Sequence, residues 1–186
     1  MKYPSVILFM FLLTCSGPKA TMSEPLPDLA NGGPPPAPAG YHWERNPNFS
    51  DEFDGDQLDA DKWHDRSPYW VNGRPPATFR ASTVSVKDGL LQIRNQPLNE
   101  EDPKYHIAGG AVASVTRDGY HGYYATRMKA SGISMSSTFW MKNKPEKDDC
   151  RSVQHELDII EIVGKQSRGG DFRNVSHSNT HIFHRD

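Results

Sequence analysis

The sequence predicts an all-β fold, a β-sandwich or jelly roll, on three observations. Short runs of alternating apolar and polar residues recur along the chain, each bounded by turn residues. Fifteen Gly and fifteen Pro in 186 residues supply many turns and leave little room for long helices. No stretch keeps a 3.6-residue apolar period between recognisable caps.

Taken in order, residues 1–15 read as an export signal. Lys2 precedes an apolar run from Val6 to Leu13, which is too short to cross a bilayer. Leu12-Leu13-Thr14-Cys15 resembles a bacterial lipoprotein cleavage box with Cys15 as the lipidated residue, although Thr14 stands where Gly, Ala or Ser is usual. The expectation is a lipid-anchored protein of the outer membrane or cell surface. Simple secretion, or release into the periplasm, is the alternative. Residues 16–40 include Asn-Gly-Gly-Pro-Pro-Pro-Ala-Pro-Ala-Gly and read as an extended tether. Residues 41–186 form the expected domain. Within it, Thr83–Val86 and Leu90–Arg94 alternate around a Lys87-Asp88-Gly89 turn, a hairpin signal. Gly110–Val115, Tyr123–Lys129, Ser137–Met141, Glu156–Val163 and Ser178–Phe183 read as further strands.

Charge and cysteine content exclude several classes. The net charge is −2 with both signs dispersed, so no basic stripe points to nucleic acid. Two cysteines, Cys15 and Cys150, make no disulfide framework once Cys15 is lipidated or removed. An exported domain without disulfides must be held by its core. The eight His residues show no zinc-ligand spacing.

The chemistry concentrates in Glu156-Leu157-Asp158-Ile159-Ile160-Glu161. On a strand, Glu156 and Asp158 share one face, and Glu161 falls on the other. One extra residue, a β-bulge, returns Glu161 to the acidic face. On a helix the three acids would scatter. Carboxylates crowded on one face of an otherwise apolar strand repel one another. Retaining glycoside hydrolysis uses such crowding: one carboxylate attacks and one carboxylic acid donates its proton, the two about 5–5.5 Å apart. Solvent-facing acids on an edge strand would give the same pattern. A calcium site is a second alternative, but it wants more ligands and a Gly-rich loop.

Glu156-Leu157-Asp158-Ile159-Ile160-Glu161 resembles the E-x-D-x-x-E signature of glycoside hydrolase family 16. Other segments match the family in order: Phe49–Gly55, Leu58-Asp59 through Lys62-Trp63, Val86–Leu91, and Ser136-Ser137-Thr138-Phe139-Trp140. The resemblance implies a concanavalin-like jelly roll with a groove across its concave face. It makes Glu156 the nucleophile, Asp158 the assisting acid and Glu161 the general acid/base. Tyr69-Trp70, Gly73-Arg74-Pro75-Pro76 and the Ser136–Trp140 segment look most like the β-agarases and β-porphyranases, whose substrates are red-algal galactans. The β-glucan-cleaving laminarinases are the runner-up.

In that groove Trp70 and Trp140 are expected to stack on sugar faces, Arg74 to bind hydroxyls or a sulfate, and His181 to contact substrate. Trp63 is expected in the core. Residues 143–154 are expected to loop out at the groove edge. No organic cofactor is required, and the resemblance allows a structural calcium on the convex side without assigning its ligands. The partner implied is an agar-type polysaccharide, with a lipid anchor in a bacterial membrane. From Tyr41 onward about 145 residues remain where such sandwiches run to roughly 200 or more, so an incomplete catalytic domain is expected. A glycan-binding protein without activity, or an inactive fragment of the scaffold, are the competing expectations.

Overall fold

A computed structural model describes residues 33–117, 119–143, 153–165 and 175–184. Cys15, the beginning of the tether and the part of the charged insertion that carries Cys150 lie outside the described residues. Regular structure among the described residues is β throughout, apart from one 3-10 turn at Ala81–Thr83. The chain divides into two compact units, Met1–Tyr120 and His121–Asp186.

The first unit holds short strands. β1 (Trp63–His64) pairs antiparallel with β7 (Ala113–Ser114). β2 (Ala77–Phe79) runs parallel to β6 (Ile107–Gly109), whose other side takes β5 (Gln96–Pro97) antiparallel. β3 (Val84–Lys87) and β4 (Leu90–Ile93) form the expected hairpin, with Lys87 opposite Leu90. Its two-residue loop is Asp88-Gly89, and both residues have positive φ, 55° and 70°. That is the backbone of a type I′ turn, which matches the strand twist and favours Asp-Gly.

Packing in this unit mixes apolar and polar groups. Val86 and Ala108 are the buried apolar residues among those described, alongside Ser67, Thr78 and Thr83. Thr83 is accommodated because its hydroxyl donates to the Arg80 carbonyl at 2.6 Å. Trp63, expected in the core, is half-buried. Its indole N–H donates to Asp51 at 2.8 Å, and its ring lies 6.1 Å from Phe53.

The second unit contains one antiparallel sheet of β8 (Ser136–Lys142), β9 (Val153–Val163) and β10 (His177–His184), with β9 central. Phe139 pairs with Ile160, but Trp140 pairs with Asp158. On the other side His177 pairs with Glu161, and Asn179 pairs with Asp158. β9 therefore carries one residue more than either neighbour between Asp158 and Glu161. This is the β-bulge expected from the spacing of the acids. β9 gives way to Gly164, where a Cβ would run into the Ser131 carbonyl and lie 2.7 Å from the Gly132 Cα. Lys165 N–H then bonds the Ile133 carbonyl at 3.0 Å, tying this loop to the strand end.

Three expectations need correction. Tyr123–Lys129 alternates but is not a strand, because alternation describes only two faces and a strand also needs a hydrogen-bonded neighbour. Gly110–Val115 shortens to Ala113–Ser114, the two residues that find partners on β1. The insertion does not run to Gln154, because Val153 and Gln154 already belong to β9 and pair with His184 and Phe183.

Candidate active site

β9 brings the three acids together through register. Glu156 lies opposite Lys142 on β8 and His181 on β10. Asp158 lies opposite Trp140 and Asn179. Glu161 lies opposite Thr138 and His177. Directly paired residues point to the same side of a sheet, so acids and partners share one face. Leu157, paired with Met141 and Thr180, faces the other way.

Asp158 is the buried member, 6% exposed. His181 Nε2 lies 3.2 Å from its Oδ2. The Asp158 main-chain carbonyl accepts a bond from the Ser178 hydroxyl at 3.0 Å. Glu161 is held differently: the Ser136 hydroxyl donates to its Oε1 at 2.9 Å, and Ser136 Oγ in turn lies 2.8 Å from Thr138 Oγ1. Asp158 thus contacts an imidazole, whereas Glu161 sits in a hydroxyl network on the β8 side.

Donor atoms of Glu156, Asp158 and His181 all lie within 4.8 Å of one another. Two ionised carboxylates that close repel by about 3 kcal/mol at an effective dielectric of about 20. Lys142, opposite Glu156, is placed to offset this. Two carboxylates and an imidazole fall short of the six to eight oxygens that calcium takes.

The aromatic candidates fall into two sets. Trp140 lies on the acidic face, with the Lys142 ammonium 5.2 Å from its ring centroid. Trp70 and Arg74 belong to the first unit and come together there. The Arg74 guanidinium lies 5.9 Å over the Trp70 ring, and Phe79 meets that ring edge-on at 5.5 Å. The turn that brings them close is held by Trp70 N–H on the Ser67 hydroxyl at 3.1 Å and by Gly73 at φ 65°. Gly73 leaves little choice of residue, because an added Cβ would sit 3.1 Å from the Ala77 carbonyl.

Reading the sequence missed Lys142, Ser136 as a partner of Glu161, and Phe183, whose ring stacks on His181 at 5.8 Å. Parity along β8 would have put Ser136, Thr138, Trp140 and Lys142 on one face. Which face, and opposite which acid, follows only from register.

A family model described as the β-porphyranase A–D GH16 domain matches residues 43–186. The chain is 64% identical over 149 residues to β-porphyranase E of Zobellia galactanivorans, covering 80% of this chain and 53% of that protein. It is 50% identical over 145 residues to β-porphyranase B of Phocaeicola plebeius, covering 70% of this chain and 45% of that one. The crystal structure of a β-porphyranase from the human gut bacterium Bacteroides plebeius matches with a TM-score of 0.72 at 46% identity, over 80% of this chain and 57% of the other. That likeness gives the chain the all-β jelly-roll fold expected from its turns and alternation. The chain spans about half the length of the curated relatives it matches.

Proposed function

The chain belongs to the family-16 glycoside hydrolase domains of the β-porphyranases, and we propose that it acts as a retaining, endo-type hydrolase of a red-algal galactan. The observation that carries this reading is the row Glu156, Asp158 and Glu161 on one face of β9, brought into phase by a one-residue bulge. The named relatives favour porphyran over agarose, and a galactan over the β-glucan alternative.

Double displacement uses each acid once or twice. Glu156 attacks the anomeric carbon while Glu161 protonates the departing glycosidic oxygen. Glu161 then takes a proton from the water that releases the sugar from Glu156. Asp158 stands between them and orients Glu156. Trp140 on the same face offers a ring to the C–H side of a pyranose. Trp70 and Arg74 offer a second aromatic platform with a planar fork for hydroxyls or a sulfate ester. Lys2, the apolar run behind it and the box ending at Cys15 support export and lipid anchoring of this hydrolase.

The test is reducing-end release by the purified chain on porphyran, agarose and laminarin in parallel. Porphyran cleavage is expected, abolished in Glu156→Gln and reduced about 10²–10⁴-fold in Glu161→Gln. Release from laminarin alone, or release that survives Glu156→Gln, would refute the reading. Binding to porphyran oligosaccharides without turnover would make the chain a glycan-binding form of the scaffold.

A further inference from the structure

Asp158 poses a problem that the mechanism leaves open. A buried carboxylate costs free energy unless hydrogen bonds hold it, and a neighbour as close as Glu156 adds repulsion. The neighbouring strands offer Trp140 on β8 and Asn179 on β10 opposite Asp158, with Lys142 and His181 opposite Glu156. Of these, His181 makes the hydrogen bond, with Nε2 at 3.2 Å from Oδ2.

His181 is itself held. Phe183, two residues along β10 and therefore on the same face, stacks on the imidazole with an interplanar angle of 17°. The ring stays 44% exposed at its side chain while its Nε2 points at the acid. A carboxylate only accepts hydrogen bonds, so this arrangement calls for the proton on Nε2.

We infer that His181 is a positioning residue. Its Nε2–H fixes the Asp158 carboxylate beside Glu156, and Phe183 fixes the imidazole. This rests on the functional reading above and departs from the sequence expectation that His181 contacts substrate. The two roles differ in kinetics. Removing a side chain that only binds substrate raises KM. A carboxylate released from its proper place lowers kcat, and a displacement of about 1 Å costs roughly 10²-fold.

Two measurements test it on the purified chain. In porphyran hydrolysis, His181→Ala is expected to lower kcat about 10²-fold with KM within about threefold. His181→Gln, whose amide nitrogen can replace the Nε2 donor, is expected to recover at least about a tenth of the wild-type rate. Phe183→Ala is expected to move kcat the same way by less. A KM increase at unchanged kcat, or equal decreases in the Ala and Gln variants with both folded by circular dichroism, overturns the inference. The second measurement needs no turnover. Imidazole proton–nitrogen NMR is expected to place the His181 proton on Nε2, with a signal that shifts in Asp158→Asn. A proton on Nδ1 alone, or a signal indifferent to Asp158→Asn, also overturns it. If the unmodified chain cleaves no galactan, the functional reading fails, and the NMR result decides the role of His181 by itself.

Discussion

At the scale of single residues, two of the three acids have different supports, and each support has its own consequence. Glu161 depends on the Ser136 hydroxyl at 2.9 Å. Ser136 is exposed, so its removal should leave stability within about 0.5 kcal/mol. A hydrogen bond to a carboxyl is worth about 1 kcal/mol, so Ser136→Ala is expected to lower kcat roughly fivefold. Steady-state kinetics beside a thermal melt would check both halves, and a lowered melting temperature with unchanged kcat would contradict them. Asp158 depends on His181, a hydrogen bond between strands. The acids themselves were legible because three carboxyls at spacings of two and three residues on a strand cannot share a face without an extra residue. The contact of His181 with Asp158 was not legible. His181 sits opposite Glu156 and reaches diagonally to Asp158, and such a diagonal exists only once register is known.

At the scale of elements, local chemistry decides which expectations hold. The β3–β4 hairpin was readable because Asp88-Gly89 meets the backbone demand of a type I′ turn. Nothing lies within 4 Å of a Cβ added at Gly89, so Gly89→Ala isolates the backbone cost of its positive φ. The expected destabilisation is about 1–2 kcal/mol, measured by denaturant unfolding. Gly164→Ala is expected to cost more, because there the added Cβ meets the Ser131 and Gly132 backbone at the end of β9. Equal effects at the two glycines would contradict this difference. Tyr123–Lys129 misled because its alternation has no ladder to enter among the described residues. β2 and β6 escaped notice for the opposite reason. At three residues each they are too short to show a period, and they are strands because they pair with each other in parallel.

At the scale of the whole molecule, the fold class was legible from turn density and alternation, and the jelly-roll likeness bears it out. Depth of burial was not legible. Leu157 and Ile182, on the side of the β8–β9–β10 sheet away from the acids, are 44% and 54% exposed. Apolar alternation marks which face is apolar, but it does not report what covers that face. Ile182→Thr is therefore expected to change the stability of the chain by less than about 0.5 kcal/mol, whereas Val86→Ala is expected to cost about 2 kcal/mol. Chemical denaturation of the two variants would compare them directly.

Cleavage of a galactan with retention by the acid row on β9 can be tested by proton NMR of the first anomer released from porphyran, before mutarotation scrambles it. The β-anomer is expected, the outcome of two successive inversions at one carbon through Glu156. Release of the α-anomer first would contradict the mechanism, because a single displacement by water leaves no role for Glu156 as nucleophile.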